Sequence, residues 1–174
     1  RIVRIAASLG PRQLVVVTGA HQAPVTKAIN DLPATIVHNA GWQSGMGNSI
    51  AAGAKWLDRD LDGIMILLCD QYGIDAAQLA ELSGAWRGEP ARIAAARWGE
   101  RFGPPVIFPA RFFPRLQRLR GDLGARQLLV EERARVNFLD LPRASLDVDD
   151  AADLSGRLDV SLTGEAPPAV ARTG

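Results

Sequence analysis

Two hydrophobic patterns alternate along this chain: short runs of β-branched and aliphatic residues, and longer stretches in which apolar positions recur every three or four residues. Ile2, Ile5, Ala6 and Leu9 share one helical face, and Gly10-Pro11 predicts the stop. Residues 13–18 carry LVVV, the composition of a strand buried on both faces. A short helix over 25–32 and a short strand over 35–38 are predicted next. Residues 41–47 form a glycine-punctuated loop, and 48–57 an Ala-rich helix with Ile50, Ala54 and Leu57 on one stripe. The run DGIMILLCD (62–70) predicts a buried strand ending on a carboxylate, followed by an amphipathic helix over 75–86 with Asp75 as N-cap. The pattern then changes. Strands at 92–98 and 106–108 read as a hairpin joined through 99–105. Helices follow at 110–119 and 125–132, then a strand at 136–141, a short one at 146–149 and a helix at 151–158. From Thr163 onward the composition is that of a disordered tail.

Alternating strands and helices predict an α/β domain with a largely parallel sheet, whose ligands bind at the carboxyl ends of the strands. The loops after Val17, His38 and Cys69 are therefore the ones to inspect for chemistry. At 174 residues the chain is long enough for one domain with its own core.

Composition narrows the function classes. The chain is 47% hydrophobic and 22% charged, with 20 basic and 19 acidic residues. That balance gives no global electrostatic case for nucleic acid or a membrane surface. No run approaches the ~20 apolar residues of a membrane span, and the first residues do not make a signal peptide, so a cytoplasmic location is expected. Cys69 is the single cysteine, which excludes an intrachain disulfide and a cysteine metal cluster. Arginines are concentrated between Arg97 and Arg135. They read either as a solvated helical face or as a positive edge facing a polyanionic small molecule.

The candidate chemistry lies in four segments. Thr18-Gly19-Ala20 follows a strand but lacks the further glycines of a dinucleotide fingerprint, which weakens a short-chain dehydrogenase reading, and no GxxxxGK[ST] loop occurs. In Gly45-Met46-Gly47-Asn48-Ser49 the backbone amides and small polar side chains suit a ligand's polar edge, or Asn48 or Ser49 caps the next helix. Asp70 is read as solvated, as capping the next helix, or as a metal ligand, since Mg²⁺ takes one or two carboxylates plus waters and substrate phosphates. Asp147 and Asp149, two apart, point to one face of a strand, where a cation would separate them, or one of them caps the final helix.

Taken in order, GWQSGMGNSIAAG (41–53), MILLCDQ (65–71), GPPVIFP (103–109), GDLGARQLL (121–129) and LDVDDAADL (146–154) resemble the MobA-like nucleotidyltransferases, specifically the molybdenum cofactor cytidylyltransferase branch. The resemblance spans roughly residues 1–154. It implies a Rossmann-like three-layer sandwich with a mostly parallel mixed sheet, like the nucleotide-diphospho-sugar transferases. It also implies Mg²⁺-dependent transfer of CMP from CTP to a molybdopterin-type acceptor, with pyrophosphate released and a molybdoenzyme or its chaperone as partner.

By the same resemblance Asp70 is the catalytic Mg²⁺ ligand, with Asp147 as a second metal position and Asp149 as a second catalytic acid. Gly45, Met46, Gly47, Asn48, Ser49 and Gln71 face the nucleotide. Gly103, Pro104, Asp122 and Arg126 line the acceptor side. The chain departs from the family pattern in three ways. The opening strand and its LAAGxSxRxGxxK loop have no counterpart, so a domain over 1–160 lacking that unit, with a tail over 161–174, is expected. Tyr72-Gly73 stands where Pro usually follows Asp-Gln. Asn48 and Asp150 replace small or hydroxyl residues. Two rivals remain: a non-catalytic relative that binds a nucleotide or a partner, and a nucleotide-sugar glycosyltransferase using Asp147-Val148-Asp149 as its DxD.

Overall fold

The computed structural model describes residues 1–122 and 124–146. The expected short strand at 146–149, the helix at 151–158 and the tail thus lie outside the described residues, save Leu146.

The first half is a βαβ unit. β1 (Val15–Thr18) and β2 (Thr35–His38) pair in parallel through α2 (Gln22–Ala28). α1 (Ile2–Ser8) precedes them and stops before Gly10, whose φ is +63°. α2 begins three residues before the expected start. Pro24 falls in its first turn, where a helix needs no N–H, so the proline does not delay it. The helix is over by Ala28, ahead of the expected Leu32, and residues 29–32 form a turn. Pro33 disfavours helical geometry just before it.

The second sheet has the order β3–β5–β4–β6, with β3 (Gly63–Ile66), β4 (Ile93–Trp98), β5 (Arg101–Pro109) and β6 (Val136–Asp140). β5 alone runs against its neighbours, and β4 and β6 pair in parallel. This is the mixed, mostly parallel α/β architecture expected from the alternation of elements.

Two expectations are corrected here, and both trace to Pro104 and Pro105. The hairpin was expected to turn over 99–105, but β5 begins at Arg101 after a two-residue turn with Gly99 at φ +56°. The strand carries its prolines inside a register break: Ala95 faces Val106 while Ala96 faces Gly103. Prolines donate no ladder hydrogen bond and are tolerated at such bulges. The strand expected over 62–70 ends at Ile66, opposite Val106. Continuing that register would set Leu67 against Pro105, so the ladder stops and Leu67 to Asp70 leave the sheet.

Helices cover both faces of this sheet. Period-two alternation sends Ile93, Ala95, Val106 and Phe108 to one side, where α3 (Met46–Ala54), α5 (Phe113–Leu116) and α6 (Arg126–Glu131) supply Ala51, Ala54, Leu116 and Leu129. Ala94, Ala96 and Ile107 go to the other side, against Leu79 and Leu82 of α4 (Ala76–Gly88) and, at its margin, Ile2, Ile5 and Leu9 of α1. Each large side chain buried this way contributes about 1.5–3 kcal/mol. The helix expected over 110–119 is a 3₁₀ turn (Ala110–Phe112) and then the single turn α5, because Pro114 cannot donate within a longer helix. α3 ties the two sheets together, with Gly53 allowing Val17 of β1 within 2.8 Å of where a Cβ would stand.

Candidate functional site

Two walls form where the strands end. The first is built by glycines. Gly45 takes φ +101°, a backbone reserved for glycine, and from it α3 departs. The chain at 120–122 lies directly against this turn. Gly47 N–H donates to Gly121 O at 2.8 Å, and a Cβ on Gly47 would stand 2.8 Å from the Arg120 carbonyl. A Cβ on Gly45 would collide with Asp122 and the Gly121 backbone. The Gly45–Ser49 loop and Gly121-Asp122, expected from the resemblance on the nucleotide and acceptor sides, are therefore one surface. Met46 reaches along it to Gly124, whose φ is +52°.

Asn48 and Ser49 do not cap α3. They lie inside it, and its N-cap is Gly45, with no side-chain cap hydrogen bond. Their polar groups are left for other partners. Ser49 Oγ accepts from Asn39 Nδ2 at 3.0 Å, so its own proton remains to donate. Asn48 Oδ1 is buried without a partner. The neighbouring loop is pinned by another close approach: Trp42 lies on Gly19, where a Cβ would stand 2.7 Å from the indole. Gly19 thus serves packing rather than a phosphate. Trp42 and Met46 are among the most exposed large apolar side chains, at 41% and 43%.

The second wall is built by one side chain. Beyond Ile66 the chain bends, and Gln71 turns inward, 3% exposed. Its Nε2 donates to Pro104 O at 2.7 Å and to Ala144 O at 3.1 Å. Pro104 lies in the register break of β5, so its carbonyl is reached by this amide. Both amide hydrogens of Gln71 are thereby used on backbone carbonyls. Gly73 permits the Arg143 carbonyl and Leu146 to close over the same loop, since a Cβ there would strike both.

Asp70 is left exposed at the rim, and its carboxylate makes no hydrogen bond or ion pair among the described residues. It does not cap the following helix: Asp75 does, in a capping box in which Asp75 Oδ1 accepts from Gln78 N–H and Gln78 Oε1 accepts from Asp75 N–H. A single exposed, unpaired carboxylate fits the protein's share of a Mg²⁺ site that takes its other ligands from water and phosphate. No cluster of three or more His, Cys, Asp or Glu that could hold a metal occurs among the described residues. Asp147 and Asp149 lie outside them.

Gly103 is buried and Pro104 half-buried. Pro104 belongs to the Gln71 wall, joined through its carbonyl, whereas Asp122 belongs to the glycine wall. Arg126 lies 5.8 Å over the Phe102 ring, and Arg133 covers the same ring from 5.1 Å. Arg115 pairs with Glu131 and Glu132, so this part of the arginine-rich segment is internally neutralised. Asn39 and Lys55 are not singled out by the sequence, and Arg120 stands there only within the arginine-rich stretch, one reading of which is a positive edge for a polyanion. Asn39 was legible, since this residue directly follows β2 at the strand end that the α/β rule marks. The place of Arg120 beside α3 was not, because only the Gly47–Gly121 contact brings it there. No helix among the described residues is long and apolar enough to cross a membrane.

Comparison with known proteins gives a family match over residues 1–136, to the MobA-like NTP transferase domain. The chain is 30% identical over 148 residues to nicotine blue oxidoreductase of Paenarthrobacter nicotinovorans, covering 80% of this chain and 71% of that protein. It is 34% identical over 88 residues to purine catabolism protein PucB of Bacillus subtilis, covering 50% of this chain and 42% of that protein. Among solved structures, Rv0371c of Mycobacterium tuberculosis H37Rv superposes with a TM-score of 0.70 at 25% identity, over 90% of this chain and 80% of that one. Rv0371c has also been solved in complex with manganese. A nucleotidyl transferase from Methanothermobacter shares the fold at a TM-score of 0.73 and 18% identity, over 94% of this chain and 79% of that one.

Proposed function

This chain belongs to the MobA-like NTP transferase family, and from that premise we propose that it transfers CMP from CTP to a molybdopterin-type acceptor, releasing pyrophosphate, with Mg²⁺ held at Asp70. The observation that supports the reading is the contact of Gly45 and Gly47 with Gly121-Asp122, which are the segments that the resemblance assigns to the nucleotide and the acceptor.

In this reading the exposed faces of Trp42 and Met46 receive the base, and Asn48 with the Ser49 hydroxyl takes the polar edge of base or ribose. A phosphate oxygen of the acceptor attacks the α-phosphorus and pyrophosphate departs. Most of the acceleration comes from holding the two substrates in line and from cations that offset developing charge. Asp70 and, by the family resemblance, Asp147 would hold Mg²⁺, which would supply neutralisation of the charge developing on the phosphates. Asp122 and Arg126 flank the acceptor, and Asp149 is a second catalytic acid by the same resemblance. Gln71, expected to face the nucleotide, is buried and acts here as a positioning residue whose amide fixes the bend that carries Asp70. Gly103 and Pro104 shape the acceptor side from within the β5 register break.

The test is pyrophosphate release and thermal shift with CTP, GTP or ATP, with and without Mg²⁺, on the native sequence and Asp70→Ala. The reading expects a Mg²⁺-dependent shift greatest with CTP, and turnover at least ~100-fold lower in Asp70→Ala, the scale of losing a major charge-stabilising group. An Asp70→Ala chain that turns over normally would sink it. The name of the 30%-identical relative favours one further arm, a redox assay with nicotine blue and an added electron donor or acceptor. A redox change of nicotine blue there, without pyrophosphate release, would replace the transferase reading with a redox one. Nucleotide binding without turnover of either kind would favour a non-catalytic relative.

A further inference from the structure

Beside the nucleotide loop of the proposed site, α3 borders an open pocket of about 250 Å³, lined by Asn39, Asn48, Ala51, Ala52, Lys55 and Arg120. Its make-up follows from helical spacing. Asn48, Ala51, Ala52 and Lys55 fall at i, i+3, i+4 and i+7, so they form one stripe, and the two alanines leave a bare floor between an amide and an ammonium. Arg120 closes the pocket from the segment that Gly47 holds against α3.

Among the described residues, the charges in this pocket have no ion-pair partner. Eight ion pairs are present among the described residues, and neither Lys55 nor Arg120 takes part in any. Arg120 spends one donor on the Leu119 carbonyl at 2.7 Å, and its guanidinium has others to give. Arg115, which is near in sequence, has its charge answered by Glu131 and Glu132. The polar wall is also incompletely satisfied. Asn39 is occupied at both ends, donating to Ser49 Oγ and accepting from Gly41 N–H, but Asn48 Oδ1 is a buried acceptor with no partner. Turning the Asn48 amide toward a ligand that offers an O–H or N–H would remove that deficit.

We propose that this pocket is an anion subsite for a phosphate ester: the phosphoryl group sits between the Lys55 ammonium and the Arg120 guanidinium, and a hydroxyl of the ester donates to Asn48. The volume is several times the ~30 Å³ share of one water molecule, and it falls short of the ~300 Å³ at which small-molecule pockets begin. It therefore holds the phosphorylated end of a ligand, and the rest extends along the exposed surface. The subsite deepens the transferase reading by supplying a phosphate anchor beside the nucleotide loop, yet it requires neither Asp70 nor a metal.

The test is isothermal titration of the full chain, free of divalent cations, with ribose 5-phosphate, pyrophosphate and uncharged ribose. Lys55 and Arg120 are both exposed, so truncating them leaves the core intact. Ribose 5-phosphate is expected to bind and ribose not to bind. Lys55→Ala and Arg120→Ala are each expected to weaken binding about tenfold, the scale of one charge-assisted contact. Ala52→Glu, which places a carboxylate on the floor, should abolish it, and Asp70→Ala should leave it unchanged. Weaker binding in Asn48→Ala for ribose 5-phosphate than for pyrophosphate would confirm the hydroxyl contact. Absence of phosphate-ester binding, or binding indifferent to Lys55, Arg120 and Ala52→Glu, overturns the subsite. CTP competing with ribose 5-phosphate would assign the subsite to the nucleotide, and simultaneous binding would assign it to the acceptor. A normal Asp70→Ala turnover rate would defeat the transferase reading and leave this result standing.

Discussion

The two walls of the site are held by opposite means. The glycine wall is backbone against backbone: Gly45 and Gly47 are tolerated because they carry no side chain, and Gly121-Asp122 fills the space that results. The Gln71 wall is a side chain against backbone, one buried amide donating to two carbonyls from segments far apart in the chain. The difference shows which errors each wall admits. The first fails when atoms are added, and the second when atoms are removed.

The largest effect is therefore expected from Gly45→Ala. It combines positive φ with a clash against backbone atoms, which cannot swing aside as a flexible side chain could. A loss of about 3 kcal/mol or more follows, lowering Tm by roughly 6–12 °C at this chain length. A shift within 1–2 °C, roughly the measurement scatter, would mean that the loop relaxes freely and the wall is not built this way.

Gln71→Leu comes next. It leaves the Pro104 and Ala144 carbonyls without this donor in a closed space, at a cost of about 2–3 kcal/mol in chemical denaturation. Gln71→Glu sharpens the point, since a carboxylate of nearly the same shape cannot donate. If Glu is tolerated as well as Gln, shape rather than hydrogen bonding holds this wall. Asp75→Ala, which removes the cap of α4 next to the same loop, is expected to cost about 1 kcal/mol, read as a small shift in urea midpoint with unchanged slope.

The smallest effect should come from acid, and it should spare both walls. Asp31, Asp60 and Asp140 are held below the usual carboxylate range, chiefly by hydrogen bonds from Arg4, Arg12 and Arg97, and Glu132 chiefly by Arg135 and also by Arg115. A depressed carboxylate contributes stability above its unfolded pKa and loses it as pH falls through the lower folded value. Tm should therefore decline modestly below about pH 4, and less so in high salt, which screens these mostly exposed pairs. A steep loss beginning above pH 5 would overturn this account, in which these exposed pairs carry the acid response.

Local rules carried much of the fold. Strand and helix order, the Asp75 cap and the Gly10-Pro11 stop were legible because each depends on periodicity or on one residue's own preference. Boundaries failed where a distant neighbour decided them. Residues 62–70 have the apolar content of a nine-residue strand, but four residues pair, because the partner's register meets Pro105. The site divides in the same way. The Gly45–Ser49 loop and Asp70 stood out by residue type, whereas the burial of Gln71 and the arrival of Arg120 beside Asn48 left no local trace.

What the sequence by itself determined is the α/β class, the order of elements and the family, since alternating hydrophobic periods and short ordered motifs are properties of neighbouring residues. What the tertiary structure alone decided is which of those residues meet. Gln71 bridges Pro104 and Ala144 across separations of 33 and 73 residues, and Arg120 reaches α3 through one backbone hydrogen bond. Such contacts depend on how β5 bulges and how α3 packs, and therefore on the whole core settling at once rather than on any segment's own composition.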